Sequence, residues 1–419
     1  MIASRPSGSQ GLANGDSFHT TISGDGRLVT FMSYADNLVP GDNNGQYDIF
    51  VRDVRTGSTV VASRSSGGVT PDSNGRSSWP AISANGRYVA FQSFATNLVH
   101  GDTNGRADIF VRDLRTGATR LVSRPNGRAA GLGNGNSLDP AISANGRFVA
   151  FQSFASNLVG GDGNGRADVF VRDVRTGRTR LVSSRSHRPG VPGDGEADNP
   201  SISKRGRYVA FESTAGNLVH GDDNHAEDVF VHDLHSGSTR LVSRARRGES
   251  STGNGPSYMA SISGDGRIVA FASRARNLVP RDNDGAEDVF VRDMFTGAMK
   301  LISGRIRSGR ATVARSNRTI YPSISASGRY VAFHSDRNDI SPGDSNAIGD
   351  VFVRDRQTGV TTLVSRPNGS GTALGNDYSG GPSISADGRF VAFASIATNL
   401  VEGDTNHVSD VFRRALHQG

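Results

Sequence analysis

The sequence predicts an all-β, seven-bladed β-propeller, and two observations lead to that prediction. First, the string ISxxGRxVxF occurs seven times in the 419 residues, at intervals of 60 residues except for one of 62. Second, each unit contains four short strand-like segments separated by turns, and none carries the periodicity of a helix. Four strands repeated seven times are typical of a ring of antiparallel sheets, each sheet being one blade. The strings begin at Ile22, Ile82, Ile142, Ile202, Ile262, Ile324 and Ile384.

The second unit shows the four predicted strands in order. We predict a first strand at Pro80–Ser83 and, after the turn ANG, a second at Arg87–Ser93 with alternating side chains. The longer connection FATNLVHGDTNG leads to a third strand at Asp108–Asp113. The turn RTG then leads to a fourth strand at Ala118–Arg124, and a glycine-rich crossover reaches the next unit.

The two ends of the chain are predicted to complete one blade together. The start, IASRPSG, matches LVSRPNG, which closes other units, and the residues outside the six complete repeats add up to almost one more. We therefore expect Ile2–Arg5 to be the fourth, outermost strand of the seventh blade, whose other strands lie within residues 382–414. This pairing would remove an open strand edge and make residues 1–419 one domain.

Composition excludes several classes of protein. The chain has no cysteine, which excludes disulfides and thiolate metal sites. No apolar run approaches the ~20 residues of a membrane-spanning helix, so we expect no membrane span. The start lacks the basic and apolar regions of a secretory signal; if a leader has been removed, we favour a periplasmic or secreted location over the cytoplasm. The net charge is +7.

The repeat resembles a known family. The run ISADGRFVAFAS…GDTNHVSDVF and its six counterparts are similar to the TolB-type, WD40-like propeller repeat of bacterial proteins, with its acid–glycine turn, VAF strand and IFVRD-like strand. The resemblance covers the whole chain. It implies the propeller fold, but it does not by itself imply a function, since one fold serves many functions.

We expect the working surface to be the face with the long connections. The crossovers and the loops between second and third strands share this "long-loop face", whereas the turns on the opposite, "short-turn face" are minimal. We expect no active site in the central channel, because residues 21–23, 81–83 and 201–203 carry no histidine, carboxylate or arginine. Repeated Arg–Asp pairs such as Arg112–Asp113 are predicted to be structural, because they recur in five blades.

An acidic frame, D-x-[N/D]-x-x-x-D, recurs in the loop before every third strand. Oxygen ligands around a tight turn could hold calcium, and the alternative is an Asx turn that bonds only to the backbone. No cofactor other than calcium is indicated. The candidate calcium ligands are Asp42, Asn44 and Asp48; Asp102, Asn104 and Asp108; Asp162, Asn164 and Asp168; Asp222, Asn224 and Asp228; Asp282, Asp284 and Asp288; Asp344, Asn346 and Asp350; and Asp404, Asn406 and Asp410.

Arginines are concentrated in the later crossovers, in one sector of the long-loop face. Such a patch could bind an anionic chain, and the alternative is a solvated, arginine-rich loop. We do not expect nucleic acid, because aromatic residues for base stacking are not interleaved with the arginines. The candidate anion-binding residues are Arg244, Arg246, Arg247, Arg305, Arg307 and Arg310.

These observations favour a non-enzymatic, monomeric scaffold that binds a protein or a glycan on the long-loop face. We find no G-x-S-x-G or H-E-x-x-H motif and no residue that would set one blade apart as catalytic. The alternative is a lyase or hydrolase that acts on a polyanionic or polysaccharide substrate.

Overall fold

The computed structural model is an all-β, seven-bladed propeller. It describes residues 1–8, 11–67, 73–127, 131–245, 252–280, 285–304, 318–346, 348–369 and 373–416. Within these residues no helix is long and apolar enough to cross a membrane. Each sheet is antiparallel and its strands follow chain order.

The first and second strands of the blades form the inner half of each sheet. The first strands are β1 Ser17–Ile22, β5 Ser77–Ile82, β9 Ser137–Ile142, β13 Ala197–Ile202, β17 Ser257–Ile262, β21 Thr319–Ile324 and β25 Ser379–Ile384. The second strands are β2 Leu28–Ser33, β6 Tyr88–Ser93, β10 Phe148–Ser153, β14 Tyr208–Ser213, β18 Ile268–Ser273, β22 Tyr330–Ser335 and β26 Phe390–Ser395.

The third and fourth strands form the outer half. The third strands are β3 Asp48–Asp53, β7 Asp108–Asp113, β11 Asp168–Asp173, β15 Asp228–Asp233, β19 Asp288–Asp293, β23 Asp350–Asp355 and β27 Asp410–Ala415. The fourth strands are β4 Ser58–Val61, β8 Ala118–Leu121, β12 Arg178–Leu181, β16 Ser238–Leu241, β20 Met299–Leu301 and β24 Thr361–Leu363.

The core repeats from blade to blade. In each blade a phenylalanine of the second strand stacks on one of the third, as Phe211 and Phe230 do with ring centroids 5.7 Å apart. Both rings are fully buried and pack against apolar residues of the neighbouring blade, including Val169. The alternation that predicted the strands therefore supplies the contacts between blades.

The Arg–Asp pairs have the predicted structural role. Asp113 accepts hydrogen bonds from Arg87 Nε and Nη2, at 3.0 and 2.6 Å, and caps the following turn through the amide of Arg115. Arg112 instead donates to the carbonyls of Arg64 and Ser65, which precede the blade's first strand. Asp113 thus links the start of the second strand to the end of the third strand of its blade. Arg112 links the incoming crossover to the same blade.

The first residues of the chain close the ring as predicted. Ile2 forms an antiparallel bridge with Phe412, and the amide of Ala3 donates to the carbonyl of Val411 at 2.6 Å. The Ser4 hydroxyl donates to Asp410, just as the serine after the fourth strand bonds the equivalent aspartate in other blades. Ile2 and Ala3 are buried, so this segment supplies both the edge pairing and part of the seventh blade's core.

The first strands are longer than predicted, and the difference decides where the site lies. In blade 2 the strand begins at Ser77 instead of Pro80, and its pairing with β6 shifts register between Ser78 and Ala81. The same irregularity occurs in all seven blades. Because a bulge breaks the two-residue alternation, the sequence pattern revealed only the end of each strand.

Candidate functional site

The acidic frames form tight, internally bonded loops. In blade 1 the Asn44 amide nitrogen donates to the Asp48 carboxylate at 2.7 Å and to the carbonyl of Ser73 in the next crossover at 3.3 Å. The other oxygen of Asp48 accepts from the Ser63 hydroxyl, and Asn44 Oδ1 accepts from the amide of Gln46. These are the bonds of an Asx turn that also anchors the crossover, so a cation would have to replace the asparagine amide at the carboxylate.

The same arrangement recurs around the ring. The asparagine-to-aspartate bond measures 2.7–2.8 Å at Asn44–Asp48, Asn104–Asp108, Asn164–Asp168, Asn224–Asp228 and Asn406–Asp410. Burial raises the pKa of Asp108 to about 6, and burial with the nearby Asp48 raises that of Asp42 to about 7. Asp282 and Asp284 lie outside the described residues, while Asp288 bonds to Arg337 of the next blade at 3.1 Å. Calcium in these loops remains a prediction.

Most of the predicted anion-binding residues fall outside the described chain. These are Arg246, Arg247, Arg305, Arg307 and Arg310. Arg244 is half-buried, and its carbonyl accepts a hydrogen bond from Arg292 of blade 5 at 2.7 Å.

The central channel is lined by polar and aromatic side chains that the sequence pattern did not place there, while the absence of an active site in the channel stays a prediction. A cavity of about 740 Å³ lies on the axis, and the bulged third residue of every first strand lines it. This residue has a φ of 43–59°, a left-handed conformation that side chains other than glycine rarely adopt. The seven equivalent positions hold His19, Trp79, Asp139, Asn199, Met259, Tyr321 and Gly381.

These residues surround the end of the cavity that opens on the long-loop face, which we call the channel mouth. The other end is narrowed by a ring of backbone hydrogen bonds between the short turns, such as Gly24 N to Ala84 O at 2.9 Å. A Cβ at Gly24 would lie 3.0 Å from that of Ala84 and 3.3 Å from that of Ala386. Access to the cavity is therefore from the face that the sequence favoured for binding.

Aromatic side chains form the mouth at blades 1 and 2. The rings of His19 and Trp79 lie 3.9 Å apart between centroids, and Tyr34 and Tyr47 lie 5.2 Å apart beside them in blade 1. Trp79 is 42% exposed and Tyr34 is 52% exposed, and Tyr321 and Tyr378 across the ring are also exposed. Exposed aromatic rings around a cavity are a common feature of ligand sites.

Acidic residues occupy the sector at blades 3 and 4: Asp139 lines the cavity, and a cluster of three carboxylates lies behind the lining in blade 4. Asp198, Glu212 and Glu227 each place a carboxylate oxygen within 4.8 Å of the others. Glu212 is buried and accepts hydrogen bonds from Asn199 Nδ2 at 3.0 Å and from the amide of Met259. Such a cluster either shares protons or holds a divalent cation.

Burial and mutual repulsion keep these carboxyls protonated to unusually high pH. Burial, reinforced by Asp198, raises the pKa of Glu212 to about 8. Burial, with Glu227 and Asp139 nearby, raises the pKa of Asp198 to about 7. At neutral pH the cluster therefore offers both donors and acceptors of hydrogen bonds.

In the next sector, at blades 5 and 6, the buried carboxylate is paired with positively charged side chains. Glu287, equivalent to Glu227, accepts hydrogen bonds from Tyr258 Oη, from Arg274 Nη2 at 2.7 Å and from Arg318 Nε at 3.1 Å. Burial acts to raise the pKa of Glu287, but these three donors outweigh it and lower the pKa. The mouth therefore has three chemically different sectors.

The sequence contains a signal for this site that the two-residue alternation of the strands does not reveal. The three residues before the IS of each repeat differ in every unit: HTT, DPA, NPS and MAS are four examples. Most positions around them hardly change. Comparing the repeats position by position, rather than aligning only what they share, would have found the mouth.

Comparisons with known proteins support the fold and leave the function open. No family model and no curated protein matches the chain. Among solved structures, an oligogalacturonate lyase in complex with manganese is 12% identical, with a TM-score of 0.52 over 96% of this chain and 89% of its own. An oligogalacturonate lyase from Vibrio parahaemolyticus is 13% identical, with a TM-score of 0.52 over 99% and 90%.

A TolB structure is also among the matches. TolB from Acinetobacter baumannii is 16% identical, with a TM-score of 0.41 over 96% of this chain and 79% of its own. At these identities the two oligogalacturonate lyase matches show the fold alone.

Proposed function

We propose that this protein is a non-enzymatic binding propeller that holds its ligand at the channel mouth. One observation carries the proposal: seven equivalent positions in a nearly repeated framework hold seven different residues, and all seven line one cavity. A framework needs the same residue at each position, whereas a single ligand presents different chemistry to each blade. The divergence is therefore what ligand binding requires and what packing does not.

A glycan is the ligand class that the mouth fits best. Trp79 and Tyr321 present exposed ring faces, which pack against the apolar faces of sugar rings. The carboxyl of Asp139 and the amide of Asn199, which both line the cavity, supply acceptors and donors for hydroxyl groups. A cavity of about 740 Å³ suits a segment of a glycan chain better than the broad surface of a folded partner.

Binding of a panel of neutral, uronate-containing and amino-sugar oligosaccharides by titration calorimetry tests the proposal. We expect at least one to bind and W79A to weaken its affinity by about tenfold or more, since Trp79 would lose its stacking contact. F295A is the matched control, because Phe295 is 86% exposed and lies in a turn of the short-turn face. Equal losses in both variants, or binding of peptides but of no oligosaccharide, would contradict the glycan assignment.

An enzyme that acts on a polysaccharide is the second candidate, and the acidic sector favours it. Asp139 lines the cavity, and burial raises its pKa to about 6, so it could act as a general acid in mildly acidic solution. Incubation with polyuronate and neutral polysaccharides, with and without manganese, tests for turnover. Loss of turnover in D139N with retained binding would establish the enzyme; intact substrates after incubation with the wild type would leave binding as the function.

A further inference from the structure

A second candidate site lies on the outer rim, away from the channel mouth. A groove of about 780 Å³ between blades 4 and 5 is lined by five arginines and, among its described lining residues, by no carboxylate. Arg185 and Arg188 belong to the crossover into blade 4. Arg240 and Arg244 lie at the outer edge of blade 4, and Arg292 lies on the third strand of blade 5.

The crossover that carries Arg185 and Arg188 forms an ordered turn. Ser184 and Pro192, at its two ends, form an isolated antiparallel bridge. The amide of Ser186 donates to the carbonyl of Leu218, and the amide of His187 donates to that of Gly237, both at 2.9 Å. These bonds fasten the turn along the outer edge of blade 4, so the backbone that carries Arg185 and Arg188 is held in place before any ligand arrives.

The positive charges of the groove act on one another. Burial lowers the pKa of Arg292, and the charges of Arg244 and Arg240 lower it further. Asp222, whose charge interacts with that of Arg244, lies outside the groove lining. An anion placed between these arginines would relieve their repulsion.

The equivalent groove between blades 2 and 3 is a natural comparison within the same chain. It is lined by Arg120, Arg124 and Arg172, and its volume is about 340 Å³. At the sequence positions that correspond to Arg185 and Arg188, the crossover into blade 2 has Ser65 and Gly68. The blade 4 groove is therefore larger and has two added arginines on its second wall.

We propose that the groove between blades 4 and 5 binds a linear acidic glycan, a chain that carries sulfate or carboxylate groups along its length. Guanidinium groups on two walls can each form paired hydrogen bonds to such groups, and a groove of about 780 Å³ has room for more than one of them. The lining contains no phenylalanine, tyrosine or tryptophan on which a nucleic acid base could stack. This site is separate from the channel mouth.

A heparin-derived sulfated hexasaccharide is the probe, titrated calorimetrically into the full chain at low and high salt. We expect R188S/R240S to weaken binding by about tenfold or more. The matched control, R120S/R124S, removes the same charge from the equivalent groove and should change affinity by less than about twofold. Binding to the wild type should weaken steeply as salt rises.

Each other outcome overturns a part of the proposal. Equal weakening in the two variants would assign binding to net charge alone, and unchanged affinity in R188S/R240S would remove the groove as the site. Tighter binding of a single-stranded oligonucleotide than of the hexasaccharide would overturn the glycan assignment. Equal melting temperatures of the two variants and the wild type confirm that the comparison concerns binding and not folding.

Discussion

The framework of the blades and the channel mouth differ in how far their residues repeat from blade to blade. In the framework most positions keep their residue around the ring: the stacked phenylalanines, the ion pairs such as Arg87–Asp113 in six blades and the Asn–Asp loops recur at nearly equal distances. At the mouth each blade has a different residue, including His19, Trp79 and Asp139 in blades 1 to 3. Repetition marks what every blade needs to pack against its neighbours, and divergence marks what a single ligand needs from the whole ring.

The largest expected effect separates an aromatic residue of the framework from one of the mouth. F211A should lower the free energy of unfolding by about 3–5 kcal/mol, because it leaves a cavity in a fully buried stack. W79A should change it by less than about 0.5 kcal/mol, since Trp79 is exposed. Denaturant unfolding of the two variants measures this difference. A large loss in W79A would mean that the mouth residues are structural.

Removal of residues 1–5 tests whether the framework depends on the closed ring. We expect a loss of about 2–4 kcal/mol, because Ile2 and Ala3 leave the core and the edge of β27 is exposed. The melting temperature and the tendency to aggregate at that edge are the measurements. S4A is the matched milder change, since it removes only the Ser4 hydroxyl, which donates to Asp410 and accepts from the amide of Val411. An unchanged melting temperature after the deletion would contradict the closure.

The acidic sector should make stability depend on pH in a way that the framework does not. The pKa of Glu212 rises from its ordinary value of 4.5 to about 8 on folding, so the folded state holds its proton more tightly. Its contribution to stability is complete below the ordinary value and is lost as the pH rises through about 8. We expect the fall in melting temperature between about pH 6 and about pH 9 to be shallower in E212Q than in the wild type.

Glu287 supplies the control for this experiment. Hydrogen bonds from Tyr258, Arg274 and Arg318 lower its pKa, so its carboxylate is already ionised throughout that range. E287Q should be less stable at every pH, because two arginines lose their partner, but its alkaline slope should match the wild type. Identical slopes in E212Q and the wild type would show that Glu212 ionises normally.

The smallest expected effect concerns calcium in the acidic loops. Because the asparagine amide already bonds the third-strand aspartate in five blades, we expect nearly equal melting temperatures in millimolar calcium and in chelator. A clear rise in calcium that is lost in D102A/D108A, combined with the same changes in other blades, would instead place cations in these framework loops.

The repeat in the sequence determined the architecture by itself. Seven copies of one string, four strand patterns in each, and a first segment that matches the end of a unit were enough to predict the ring, the strand order and the closure at Ile2–Arg5. The structural role of the Arg–Asp pairs also followed, because a pair that recurs in five blades serves the shared framework and not one site. These features depend on local patterns, and local patterns are what a repeat displays.

Only the tertiary structure decided where the divergent residues meet. His19 and Trp79 are 60 positions apart and belong to different units, yet their rings are in contact because the ring places equivalent positions side by side. The bulge that turns these side chains into the cavity has no two-residue alternation and so escaped the strand pattern. Likewise, Glu212 and Glu287 are both buried glutamates of the mouth, and only their neighbours in space raise the pKa of one and lower that of the other. Burial and charge proximity are properties of the folded ring, and no single repeat contains them.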